Sequence, residues 1–328
     1  MIDKLKKNQF FWDMAGKIAE FYPQKNFKKP PRELMIEVTN TCNLKCPVCP
    51  THFAMQRQKG FMDLKLYKSI IDEFRDKKEK PRITMIFAGE PLMHQEVEKF
   101  IEYAAKNGHE TFISTNATLL SEDLSKRLIR AGLDYIHLCL DGFTKQSHEE
   151  YRRGSNFEAV KKNIKDFISV KKELNSKKPF IVIQTLLTSL SENETNKMIK
   201  WAKDIGADAI NLKTLSMGSH TTDEMKKQYN YLLPTRLELR RKTSSINKTL
   251  CSWPLRNAVI YWNGELGLCC VDFDNEIKLG SIKGKGFLKT FFSDEAMAKR
   301  KLGFQKKFDL CKRCSIGNAD FMGIEYKF

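Results

Sequence analysis

From residue 34 the chain alternates short apolar runs with amphipathic stretches. LMIEVT (34–39) places apolar and polar residues in turn, as a strand with one buried face does. Tyr67, Ile70, Ile71 and Phe74 recur at helical spacing behind Asp63, and RITMIF (82–87) reads as a second strand. Val97, Phe100, Ile101, Ala104 and Ala105 mark a helix that Gly108 can end, and TFIST (111–115) follows as a strand. Ser121 has the chemistry of an N-cap ahead of Leu124, Leu128 and Ile129, and DYIHLCL (134–140) is the next strand. A helix over 157–172 leads to PFIVIQTLLT (179–188), and one over 198–205 leads to AINLKTL (209–215). Six strand-and-helix units predict a parallel sheet with helices outside it. Six units suit an incomplete barrel better than a closed one of eight.

The pattern changes after residue 217. Residues 218–250 are polar and read as a helical connector. NAVIYW and ELGLCCV then flank Asn263-Gly264, a strong hairpin signal. A phenylalanine-rich helix (Phe287, Phe291, Phe292) precedes CKRC at 311–314. The expected organisation is an N-terminal extension (1–32), a barrel (33–217), a connector (218–250) and a small C-terminal unit (251–328).

The 328 residues are enough for a large α/β domain and a smaller one. No apolar run reaches the roughly 18 residues of a membrane span. The opening MIDKLKKNQFFWDM lacks the uninterrupted apolar stretch of a signal peptide, so the expected location is the cytoplasm. The net charge of +17, from 57 basic and 40 acidic residues, is carried mostly by lysines scattered over expected helix faces. Such a surface is well solvated, and it also suits an acidic electron-donor protein such as flavodoxin or ferredoxin. The absence of a basic stripe interleaved with aromatics, and of a nucleic-acid motif, argues against nucleic acid as a partner.

The nine cysteines change the picture more than the charge does. Close-spaced groups in a cytosolic chain of this size point to metal or redox chemistry more than to disulfides. TCNLKCPVCP (41–50) sets Cys42, Cys46 and Cys49 in one loop. A tetrahedral zinc site or a fully protein-held iron–sulfur cluster takes four ligands, so a compact trio suggests a cluster with one iron left open. The trio and the FAGEP (87–91), STN (114–116) and CLDG (139–142) turns all fall at the carboxyl ends of expected strands, where the chemistry of such folds sits.

These motifs together resemble the radical S-adenosylmethionine (radical SAM) enzymes. The resemblance implies a [4Fe-4S] cluster on Cys42, Cys46 and Cys49, with its fourth iron chelated by the amino and carboxylate groups of S-adenosylmethionine. It further implies cleavage of that cofactor to a 5′-deoxyadenosyl radical that abstracts hydrogen from substrate. Gly89 and Glu90 would lie against the amino end of the cofactor, and Ser114 and Asn116 against its ribose or methionyl part. Arg152 or Arg153, in YRRG, would pair with the carboxylate. Cys139 stands where related proteins often carry serine in an S-x-D-G turn, and Val48 where they often carry an aromatic.

Cys251, Cys269, Cys311 and Cys314, with gaps of 18, 42 and 3, resemble the twitch or minimal SPASM module, which holds one auxiliary [4Fe-4S] cluster on four cysteines. A four-cysteine zinc site is the rival, because CxxC alone does not tell iron from zinc. Cys270 is the spare, either a small buried hydrophobe or a hydrogen-atom donor in an epimerase. His94, His109 and His137 lack metal-type partners in the sequence and read as structural or surface residues. The expected fold is thus a (β/α)6 partial TIM barrel with a small C-terminal twitch/SPASM-like cluster-binding domain. The expected activity is an oxidoreductase acting on a small polar molecule of the sugar or aminocyclitol kind, with electron loss to the auxiliary cluster. The alternative is a peptide-modifying or epimerising enzyme; the lack of a separate leader-binding domain before residue 33 points away from a peptide.

Overall fold

A computed structural model describes residues 27–215, 217, 221–240, 250–314 and 323–328. Most of the expected N-terminal extension lies outside these residues, as do 218–220 and 241–249 of the connector and 315–322 of the tail.

Six strands are β1 (Glu33–Ile36), β2 (Arg82–Met85), β3 (Thr111–Thr115), β4 (Tyr135–Cys139), β5 (Phe180–Leu187) and β6 (Ala209–Thr214). They pair in that order and run parallel. Between them run the helices that the periodicity predicts, including Leu64–Asp72, Val97–Lys106, Glu122–Arg130, Phe157–Glu173 and Thr195–Ile205. The expected N-cap at Ser121 forms, and the structure adds a second cap at Asp63. Asp63 accepts from the N–H groups of Lys65 and Leu66, and Ser121 from that of Leu124 at 3.2 Å. The helix-facing strand positions, such as Ile83, Ile113, Leu138, Ile183 and Ile210, are fully buried against Tyr67, Phe74, Phe100 and Phe167. Alternate positions on β3 to β6 are mostly half-exposed on the concave side.

An open barrel leaves β1 and β6 with unpaired backbone groups at its edges. The C-terminal part of the chain covers both. β7 (Asn257–Ile260) pairs parallel with β1, from Glu33↔Asn257 to Ile36↔Ile260. β8 (Glu265–Gly267) and β9 (Lys278–Ser281) follow antiparallel, and β10 (Gly323–Lys327) lies antiparallel on β6. The result is one ten-stranded sheet ordered β10-β6-β5-β4-β3-β2-β1-β7-β8-β9. The small unit therefore extends the barrel sheet. The Asn263-Gly264 hairpin forms as expected: Gly264 has φ +81° and its N–H reaches the Tyr261 carbonyl at 2.9 Å. Asn263 Oδ1 accepts from the Glu265 N–H at 3.1 Å.

The helix Lys145–Tyr151, the helix Asp294–Phe304, β9 and β10 are additions to the sequence-based expectation. β9 is only KLGS and contains a glycine, so its pattern is too short to read as a strand.

Candidate active site

The chain leaves the sheet after β1 and enters the first cysteine loop. Gly89 packs directly on that loop at φ +72°, and a Cβ there would meet the Thr41 and Thr39 carbonyl oxygens at 2.5 and 2.6 Å. Only glycine satisfies both the torsion and the space. Next to it, the Glu90 N–H donates to the Thr41 carbonyl at 2.7 Å. The buried Glu90 carboxylate accepts from the Leu92 N–H at 3.1 Å and the Asn116 N–H at 2.8 Å. Burial raises its pKa, while these amides pull the other way. Asn116 in turn donates through Nδ2 to Asn43 Oδ1 at 3.0 Å. The turns after β2 and β3 thus clamp the segment that carries Cys42, Cys46 and Cys49.

Within the loop, the Leu44 N–H points at Cys42 Sγ (3.4 Å), and the Cys49 N–H reaches the Cys46 carbonyl at 3.2 Å. Burial pushes the Cys46 thiol up to about 12; Arg152 opposes this, and Cys49, Asp141 and Cys42 reinforce it. Cys42 is raised chiefly by burial as well, with Cys49 adding to the effect and Arg152 opposing it. The three thiols therefore sit within electrostatic reach of one another, and Cys42 and Cys46 within reach of one guanidinium.

That guanidinium is held from below. Arg152 Nε donates to Asp141 Oδ2, and Asp141 Oδ1 accepts from the Leu186 N–H at 2.7 Å. Burial opposes the charge on Arg152, but Asp141, then Cys46 and Cys139, hold its pKa well above the ordinary guanidinium value. Arg153 points elsewhere. Its side chain is exposed, 3.5 Å from Glu150 and 5.7 Å over the Tyr229 ring. With Lys45, His52 and Met225 it borders an open cavity of about 520 Å³ on the outer side of the loop. Of the two arginines that the sequence offers, the structure brings Arg152 to the thiols. Cys139 is buried, with Ser114 Oγ 3.5 Å from its sulfur.

The second set assembles from distant segments. Burial pushes Cys251 up to about 12; the Trp253 N–H opposes this, and Cys269, Cys314 and Cys311 add to it. Cys269 is raised well above the usual thiol range, first by its hydrogen bond with Cys270 and then by burial. Cys270 packs against Met35, Val259 and Tyr261, which places the spare thiol toward the barrel's concave side. The soft four-thiol donor set fits a cluster.

Arg57, which has no signal in the sequence, braces the two sets. It makes a paired contact with the buried Glu37 carboxylate at 3.0 and 2.7 Å and donates through Nε to the Phe273 carbonyl at 2.5 Å. Its guanidinium lies 4.3 Å over the Tyr261 ring, and the Arg57 backbone N–H donates to Asp274 Oδ1 at 3.1 Å. Phe87, at the end of β2, stacks on Phe273 with centroids 5.1 Å apart.

Residues 36–202 match the model of the radical SAM superfamily, and residues 251–315 match that of an iron-sulfur cluster-binding domain, SPASM. The chain belongs to the radical SAM superfamily. It is similar to the tungsten-containing aldehyde ferredoxin oxidoreductase cofactor-modifying protein of Pyrococcus furiosus, 26% identical over 186 residues. That alignment covers 56% of this chain and 51% of the relative, so the match spans about half the relative's length. Two solved structures share the fold. BtrN in complex with AdoMet and 2-DOIA has a TM-score of 0.55 at 19% identity, over 88% of this chain and 94% of that one. SuiB of Streptococcus suis, bound to the precursor peptide SuiA, has a TM-score of 0.65 at 17% identity, over 93% and 74%.

This radical SAM enzyme accordingly works with S-adenosylmethionine and [4Fe-4S] chemistry, and its partial barrel and C-terminal SPASM domain are those expected from the motifs. Among the described residues, no helix is long and apolar enough to cross a membrane.

Proposed function

We propose that the chain is a radical SAM oxidoreductase that takes hydrogen from a small polar substrate, sugar-like or aminocyclitol-like, on the concave face of the barrel. The observation that carries this reading is the pairing of two unlike thiol sets: a trio with a buried guanidinium in reach of Cys42 and Cys46, and four thiols grouped with one another. In this reading Cys42, Cys46 and Cys49 hold one [4Fe-4S] cluster, and Cys251, Cys269, Cys311 and Cys314 hold the auxiliary one.

Arg152 has its Nε engaged by Asp141, which leaves its Nη groups for the carboxylate of S-adenosylmethionine. Gly89 lets backbone approach the amino end, and Ser114 and Asn116 line the ribose side. Cys139, between Ser114 and Arg152, packs beneath the same cofactor. When bound, the cofactors supply a hydrogen-abstracting radical and a one-electron acceptor, and the protein's task is to bind, orient and shield. Lys45 and Arg153 on the outer side of the loop give an acidic flavodoxin or ferredoxin a cationic landing surface.

A second reading rests on Cys270. Its thiol packs on the inner-face residues Met35 and Val259, where it would return a hydrogen atom to a substrate radical, as an epimerase or peptide-modifying enzyme requires.

The test incubates anaerobically reconstituted enzyme with S-adenosylmethionine, dithionite and carbon-deuterated inositols and amino-inositols. Deuterium in 5′-deoxyadenosine, with one two-electron-oxidised product per cofactor cleaved, is the expected result. Deuterium transfer with an inverted, unoxidised product would move the assignment to the Cys270 reading. No transfer from any of these compounds would overturn the small-substrate reading.

A further inference from the structure

A polar array lines the concave side of β3 to β6. Strand register sets Ser114 beside His137, Cys139 beside Gln184, and Gln184 beside Asn211. Side chains alternate across a strand, so these residues share the face opposite the fully buried Ile113, Leu138 and Ile183. Their hydrogen bonds run in one direction. Gln184 Nε2 donates to Cys139 Sγ at 3.6 Å, which leaves its carbonyl oxygen to accept from His137 Nδ1 at 2.9 Å. With the hydrogen on Nδ1, the lone pair of His137 is on Nε2. Phe112 meets the imidazole edge-on, with centroids 4.6 Å apart, and fixes the ring plane.

The position suits chemistry. His137 lies two residues before Cys139, roughly 7 Å deeper along β4. Cys139 is within electrostatic reach of Arg152. The groups beside the imidazole on the neighbouring strands are Phe112 and Ser114 on β3, Val182 and Gln184 on β5 and Lys213 on β6. Burial, then the charge of Lys213, push its pKa down to about 4, with Gln184 pulling the other way. The imidazole is therefore neutral at physiological pH, and its proton-accepting role rests on the free Nε2 lone pair and its position.

We infer that His137 is the proton acceptor of the reaction, taking through Nε2 the O–H or N–H proton of the substrate group being oxidised, with Gln184 as its positioning residue. This assignment rests on the oxidoreductase reading. The step balances: a substrate H–C–X–H gives a hydrogen atom to the radical that the cofactor supplies, a proton to Nε2 and an electron to the iron–sulfur acceptor. A C=X bond forms, and the imidazole becomes imidazolium.

Two measurements decide it. Diethylpyrocarbonate, which attacks a neutral imidazole nitrogen, is applied to the cluster-loaded full chain at pH 5.5, and the labelled peptides are mapped by mass spectrometry. An ordinary imidazole is only about one-tenth neutral at that pH, given an unperturbed pKa near 6.5. His137 should label, and Gln184→Glu should slow that labelling at least about fivefold, because a carboxylate on Nδ1–H raises the imidazole pKa. A His137 that stays unlabelled overturns the assignment.

The second measurement compares His137→Gln with wild type on the deuterated compounds. Deuterium transfer should stay within about twofold while oxidised product falls about a hundredfold or more, the usual span of general-base catalysis. Undiminished product in the variant overturns the assignment. Absence of transfer in the wild type overturns the oxidoreductase reading instead, and the labelling result still decides whether Nε2 is an accessible base.

Discussion

The two cysteine sets solve different problems with the same side chain. Cys42, Cys46 and Cys49 lie in one loop at the end of β1, clamped by Gly89 and Glu90 and served by the buried Arg152–Asp141 pair. Cys251, Cys269, Cys311 and Cys314 come from a strand entry, a hairpin exit and a short helix, and their mutual influence is mainly thiol on thiol. Three soft ligands and a cation make a place for an anionic fourth ligand. Four soft ligands close a site. On the proposed reading, ligand count and a neighbouring cation together separate a site that binds from one that carries electrons.

The sharpest way to break that comparison is to remove one set at a time. Cys42→Ala/Cys46→Ala/Cys49→Ala should lower iron from about eight to about four per chain and abolish cleavage of S-adenosylmethionine. Cys251→Ala/Cys311→Ala should also leave about four irons, yet retain cofactor cleavage while losing oxidised product. Iron analysis, with assays for 5′-deoxyadenosine, reads both. If the loop variant instead drops iron from about four to none and keeps one zinc, the tail is a structural staple and the comparison fails.

Arg152 comes next. Arg152→Met leaves the Asp141 carboxylate buried without its ion-pair partner, which costs on the order of 3–5 kcal/mol. A lower urea midpoint should accompany weaker binding of S-adenosylmethionine. Arg153→Met, at an exposed pair, should cost less than about 1 kcal/mol of stability and barely move the midpoint. Equal effects of the two variants would erase the distinction between the buried and the outer arginine.

Much of this arrangement is legible in the sequence. The barrel units are, because each strand hides one face against helices and each helix repeats apolar residues at its own period. Asp63, Ser121 and Gly264 act locally, and local chemistry reads well. What escaped depends on residues far apart in the chain. Arg152 and Arg153 are adjacent and chemically alike, and only the distant Asp141 on the β4 turn selects one of them. Arg57 finds Glu37 on one side and Phe273 on the other. The β1–β7 pairing joins segments that no periodicity links. The hydrogen bond between His137 and Gln184 likewise joins two strands that no local pattern links.

Acid should expose a smaller effect in the loop region. Burial lowers His148 to about 4; its Nδ1 accepts from the Asp141 N–H at 3.3 Å, and its Nε2 lies 3.0 Å from Ser155 Oγ. Unfolded histidine has a pKa near 6.5, so between about pH 6.5 and 4 the unfolded chain binds the extra proton. The neutral-imidazole contribution, on the order of 3 kcal/mol, is therefore present above pH 6.5 and fades as pH falls toward 4. The urea midpoint should drop over that window, and His148→Asn should flatten the drop. An unchanged slope in the variant would mean that other groups carry the acid sensitivity.

Cys270→Ala should have the smallest effect and discriminates most finely. The change removes a half-buried thiol and its hydrogen bond to Cys269, so the stability loss should stay under about 1 kcal/mol. Iron should remain near about eight per chain if the quartet alone holds the auxiliary cluster. An unchanged yield of oxidised product would make Cys270 a packing residue beside a ligand. Loss of about four irons would instead make Cys270 a ligand in place of Cys269, and the close hydrogen bond between the two thiols would then be a competition for one iron. Full iron with continued deuterium transfer but no turnover is the third outcome. It would show that the thiol on the concave side delivers hydrogen to the substrate radical.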